Sequence, residues 1–184
     1  MWIVAVVTSE FFWGVIVGLV LSVVGAYYLA VFATRQQQRA QKEIVKNFCA
    51  DTIKNLRQIV DEMADLRNRT KAIHSDYLAL MDIEFNVFGR NREHIIQLPE
   101  PLRDRVRKFV TDCAVRRAQI GNYLAAFTSK WALADQLLGQ NQGLQSQQAR
   151  AESGPPLAEA NKVLDELSVR VQESSSLIND IKNA

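Results

Sequence analysis

Apolar residues follow two different rules along this chain. From Phe11 to Ala33 they run unbroken: FFWGVIVGLVLSVVGAYYLAVFA is 23 residues without a charge or a proline. After Arg35 they return only at three-four spacing, the mark of helices with one apolar stripe. The first pattern predicts a membrane-spanning helix over 11–33. At about 1.5 Å per residue it reaches roughly 34 Å, enough for a hydrocarbon core of about 30 Å, and a helix pairs all of its backbone groups internally. Residues 1–10 form a short extracytoplasmic N-terminus on this reading. A cleaved signal peptide fits less well: the segment lacks a basic start and exceeds the usual apolar length of about 7–15 residues.

The second pattern predicts a long helical hairpin over 35–138. No proline or glycine interrupts Arg35 to Phe88. One heptad seam holds Val45, Thr52, Ile59, Leu66, Ile73, Leu80 and Val87, and the other holds Cys49, Leu56, Met63, Thr70, Tyr77 and Glu84. This predicts one continuous helix. Gly89 to Pro99 breaks it, with Gly89 as a C-cap and Ile95, Ile96 and Leu98 tucked over the bundle end. Pro101 suits the first turn of the next helix, whose stripe runs from Leu102 through Phe109, Ile120 and Trp131 to Leu138. An antiparallel register with opposed numbers summing to roughly 188 sets Asp76, Asp82 and Glu84 beside Arg103, Arg105, Arg107 and Lys108.

Residues 139–156, GQNQGLQSQQARAESGPP, read as a flexible Gln-rich linker. The last segment, 157–184, regains helical period, opened by Pro155 and Pro156. Its six acidic and three basic residues from Glu152 onward complement the basic second helix. The expected fold is therefore all-α: an N-terminal transmembrane helix, then an antiparallel up-down-up three-helix bundle resembling a coiled coil.

Charge adds a topology. The residues ahead of the span carry one acid, Glu10, whereas Arg35, Arg39, Lys42 and Lys46 follow it. Basic residues stay on the cytoplasmic side, which puts the N-terminus outside an inner membrane and the bundle inside. Within the span, Gly14, Gly18, Ser22, Ala26 and Ala30 recur every four residues as a stripe of small side chains. Such a stripe lets helix backbones approach closely in lipid. The chain-wide charge of +2, from 22 basic and 20 acidic residues, does not suit a general nucleic-acid binder.

Little in the sequence carries chemistry. His74 and His94 have no metal-ligand spacing with other donors, and no phosphate loop, dinucleotide turn or nucleophile elbow occurs. Cys49 and Cys113 fall on apolar faces far apart in the hairpin register, as reduced core thiols. No enzyme activity, metal, cofactor or small-molecule substrate is therefore expected. One polar cluster invites a functional reading: Arg90 to Arg117 holds eight basic and four acidic residues. Arg90, Arg92, Arg103, Arg107 and Lys108 are its candidate docking surface for an acidic protein partner. The bland account is a solvated bundle end whose arginines cap and pair with the first helix.

The overall reading is a non-enzymatic single-pass membrane protein, a helical-bundle scaffold or docking protein. Its partners would be the lipid bilayer and a second copy or another membrane protein. Two alternatives stand beside it: an exported phage- or envelope-derived lysis or fusion component, and an accessory subunit of a larger membrane complex. The architecture resembles phage spanin-type subunits in its N-terminal span and coiled helix. A spanin needs its coil outside the inner membrane, against the basic residues after this span.

Overall fold

A computed structural model describes the backbone of residues 2–184 and the side chains from residue 20 onward. The chain divides into two compact units, the first ending at Ile44 and the second running Val45–Ala184. Helix α1, Trp2–Thr70, passes through both. In the first unit the side chains of residues 20–44 are exposed throughout, save for a half-buried Val31.

The second unit holds the core. Within it α1 contributes Cys49, Ile53, Leu56, Val60 and Met63, spaced by three and four and almost wholly buried. The helix stops at Thr70. Lys71 adopts the left-handed conformation (φ 60°) and its N–H bonds the Arg67 carbonyl at 2.7 Å, a left-handed C-terminal cap. The Thr70 hydroxyl donates to Leu66 O (2.9 Å) and accepts from the Ala72 N–H (3.3 Å). Helix α2, Ser75–Arg90, then folds back along α1. Phe88 stacks on Phe48, with centroids 6.4 Å apart, and Asn55 Nδ2 donates to Glu84 at 3.1 Å.

A 3-10 turn, His94–Gln97, leads into α3, Glu100–Gly139, with Pro101 in its first turn as expected. Ile95 and Leu98 close the bundle end, while Ile96 faces outward. The short connection from Arg90 to Glu100, together with Arg117 meeting both Asp82 and the Leu78 carbonyl farther along, sets α2 antiparallel to α3. Helices α4, Gly143–Gln172, and α5, Ser174–Asn183, return along α3. Ion pairs mark the register: Arg150 with Asp135 (3.1 Å), Arg170 with Asp112 (3.1 Å) and Arg105 with Asp180 (2.7 Å). Arg67 reaches Asp165 at 2.7 Å and Arg57 donates to the Ser175 hydroxyl, so the α4–α5 leg runs antiparallel to α1.

The unit is thus all-α, as expected, but it has four antiparallel segments instead of three, and three expectations change. The stretch 35–88 is not one helix, because the chain reverses at 71–74 through a left-handed residue that needs neither glycine nor proline. The register against α3 shifts accordingly. Asp82 pairs with Arg117 and Glu84 with Asn55, rather than either meeting Arg103 to Lys108. Residues 139–156 are not a flexible linker but a tight turn and the first half of α4. There Asn141 sits at φ 59°, Gln142 N bonds Leu137 O (3.0 Å) and Asn141 N bonds Leu138 O (3.1 Å), the paired bonds of a Schellman motif.

Pro155 and Pro156 lie inside α4 instead of opening it. They leave the carbonyls of Ala151 and Glu152 without their usual donors. Ala151 and Glu152 are exposed, so water is available to those carbonyls. The main core ends at Ile120 on α3 and Ala160 on α4, and beyond it the two helices continue as a hairpin arm. The arm's seam is small: Ala134, Ser146, Ala149 and Ser153 are buried, and the Ser146 hydroxyl donates to Ala134 O at 2.8 Å. Arg150 lies over the Trp131 ring, 5.3 Å from its centroid.

No helix among the described residues is long and apolar enough to cross a membrane. Of the predicted span, residues 11–19 lie outside the described side chains, which leaves 20–33. Gly14 and Gly18 fall in that outside part. Ser22, Ala26 and Ala30 are exposed.

Candidate docking surface

The five basic residues singled out from sequence do not form one patch. Arg90 is the exposed last residue of α2, and Arg92 sits exposed in the turn that follows. Arg103 is half-buried and pairs with Glu100 at 3.4 Å and Asp104 at 4.0 Å. The other two diverge around α3, because Arg107 and Lys108 are neighbours about 100° apart on a helix.

Arg107 joins Arg92 at a groove of about 630 Å³ between α2 and α3. Phe85, Phe88 and Gly89 line one wall, and Val110, Ala114, Val115 and Ala118 the other. The geometry follows from side-chain size. Positions 110, 114 and 118 share one face of α3 and carry only valine and alanine, so the surface is shallow where α2 passes. A Cβ added at Gly89 would meet nothing within 4 Å. The Nε of Arg107 is buried and, among the described residues, has no hydrogen-bond partner. Neither Arg92 nor Arg107 forms an ion pair among these residues, so the groove mouth carries uncompensated positive charge.

Lys108 lies instead at a smaller cavity of about 290 Å³ with Arg105, Arg170, Glu173, Ser174 and Ser176. Its arginines are already neutralised. Arg105 holds Asp180, and Arg170 holds both Asp112 and Glu173, the latter at 3.1 Å.

The two thiols are core groups. Cys49 and Cys113 are both free and buried. Burial pushes the Cys49 thiol up to about 11 and the Cys113 thiol up to about 12; in the latter case Arg170 and Arg116 pull down and Asp112 pushes up, and burial dominates. Such thiols are inert at neutral pH. No group of three or more His, Cys, Asp or Glu side chains among the described residues is placed to hold a metal ion.

Two features escaped the sequence reading. The Val110, Ala114, Ala118 stripe was legible as small residues at four-residue spacing, but a search for large apolar residues passes over it. The arm's Ser146, Ala149, Ser153 and Ala160 were hidden in the same way, inside a segment that counts as polar. Compared with protein-family models, curated proteins and solved structures, the chain matches none.

Proposed function

We propose that this protein is a non-enzymatic, single-pass membrane protein. Its N-terminal helix anchors in the inner membrane, and its four-helix bundle acts as a docking scaffold on the cytoplasmic side. One observation carries the reading: the helix is apolar on every side where its side chains are described before Arg35. Val20 (51%), Leu21 (65%), Val23 (60%) and Leu29 (72%) point in different directions around the helix and are all exposed. A helix apolar all round belongs in a core or in lipid, and leaving it in water costs about 25 cal/mol per Å² of apolar surface. The unbroken apolar run from Phe11 supplies the remaining length, and Arg35, Arg39, Lys42 and Lys46 set the orientation. Gly14, Gly18, Ser22, Ala26 and Ala30 would provide a packing face for a second copy or another span.

Fractionation tests the anchor. After alkaline carbonate washing the full chain is expected in the membrane pellet, released only by detergent. Recovery from the soluble fraction without detergent overturns the reading. A C-terminal alkaline phosphatase fusion tests the orientation and is expected to be inactive; periplasmic activity would favour the exported lysis or fusion component.

A further inference from the structure

We propose that the groove between α2 and α3 receives an acidic amphipathic helix of another protein, its apolar face on Ala114, Val115 and Ala118 and its carboxylates on Arg92 and Arg107. The inference builds on the scaffold reading and is independent of the membrane anchor.

Shape, polarity and charge each narrow the occupant. The α3 wall from Arg107 to Ala118 is about 17 Å long, the length of roughly three helical turns. Its small side chains admit close approach by a third helix, and the groove is open where Gly89 lacks a side chain. Val115 is 52% exposed at its edge, so apolar surface there gains by being covered.

Charge decides between partners. A second copy docked groove to groove across a two-fold axis would bring Arg92 and Arg107 toward the same arginines, an unfavourable meeting. A carboxylate-bearing helix does the reverse. It also gives the half-buried Arg107, whose Nε lacks a partner among the described residues, an acceptor, and charge-assisted bonds of that kind are the strong ones. Helix-in-groove docking of this type places apolar anchors at three-four spacing, with charges along the flank.

A charge-swap titration tests it. The full chain is reconstituted in phosphatidylcholine nanodiscs, and a fluorescein-labelled helical peptide of about 16 residues, leucines on one face and glutamates on both flanks, is titrated in. Its twin carries lysines in place of the glutamates. The acidic peptide is expected to bind saturably. Arg92→Glu with Arg107→Glu should weaken it about tenfold or more and make the lysine peptide the tighter ligand. Arg92→Glu alone, at an exposed turn position, should act in the same direction without touching the core. Gly89→Trp fills open space and should block both peptides with helicity retained by circular dichroism.

Failure of the acidic peptide to saturate, a preference that does not invert, or unchanged affinity in Gly89→Trp overturns the proposal. So does a concentration-dependent dimer that Gly89→Trp dissolves, since the occupant is then a second copy. A chain that never enters the nanodisc refutes the anchor alone, and the same titration then proceeds on it in buffer.

Discussion

At the scale of single residues the two thiols report on the core. Both belong to the same buried cluster, which includes Leu56, Val106 and Leu167. An unfolded thiol ionises near 9.0, whereas these ionise near 11 and 12. Above pH 9.0 the unfolded chain therefore sheds protons that the folded chain keeps. The thiol contribution to stability is full below that pH and is lost as pH rises through the folded values. The urea midpoint should fall between about pH 8 and about pH 10.5, and fall less in the Cys49→Ala, Cys113→Ala double variant. Equal pH dependence in the two chains would show that the thiols are not held protonated by burial. That both cysteines sit inside was legible from their place on apolar faces. Their common core was not, because it depends on the reversal of the chain at residues 71–74.

At the scale of elements, turns decided what periodicity left open. Lys71 is a side chain where helix C-termini favour glycine. A left-handed residue with a Cβ costs about 1–2 kcal/mol, partly offset by the greater freedom that glycine has when unfolded. Lys71→Gly should therefore stabilise the bundle by about 0.5–1 kcal/mol, seen as a higher urea midpoint at unchanged slope. A loss of stability would argue that the α1–α2 reversal is not capped in this way. Asn141 fills the equivalent place before α4 and needs no such relief, since asparagine tolerates the conformation. Reading breaks from glycine and proline alone therefore missed both ends of the story. It ran α1 straight through Lys71, and it took the Gly139 to Pro156 segment for a linker. Ser75 and Asp76 before an apolar run were the available signal for a new helix at α2. For α4, the available signal was its wealth of Gln, Ala, Arg and Glu, all good helix formers.

At the scale of the whole molecule the division at Ile44 separates two kinds of surface. Among the described residues, every member of the main core lies between Val45 and Ile181. Residues 45–184 expressed alone should fold without detergent, with high helicity and one cooperative urea transition. An aggregated or unfolded product would show that the N-terminal helix is needed to complete the bundle. The proposed scaffold role suits this build. Its inter-helix ion pairs, such as Arg105 with Asp180 and Arg150 with Asp135, contribute about 0–1 kcal/mol each at exposed positions and serve more to set register than to hold the fold. Arg92 and Arg107 at the α2–α3 groove take no part in these pairs.

The sequence by itself determined that the chain is helical, that an unbroken apolar stretch precedes an amphipathic region, and that basic charge follows that stretch. These are local properties, read from spacing, composition and order along the chain. Only the tertiary structure decided that the amphipathic part forms four antiparallel segments, that the Gln-rich stretch is an arm of α4, and that five candidate basic residues divide between different surfaces. Such facts depend on where helices reverse and which faces meet. A left-handed turn residue and a seam of alanine and serine leave too faint a trace in hydropathy to be read before the helices are packed together.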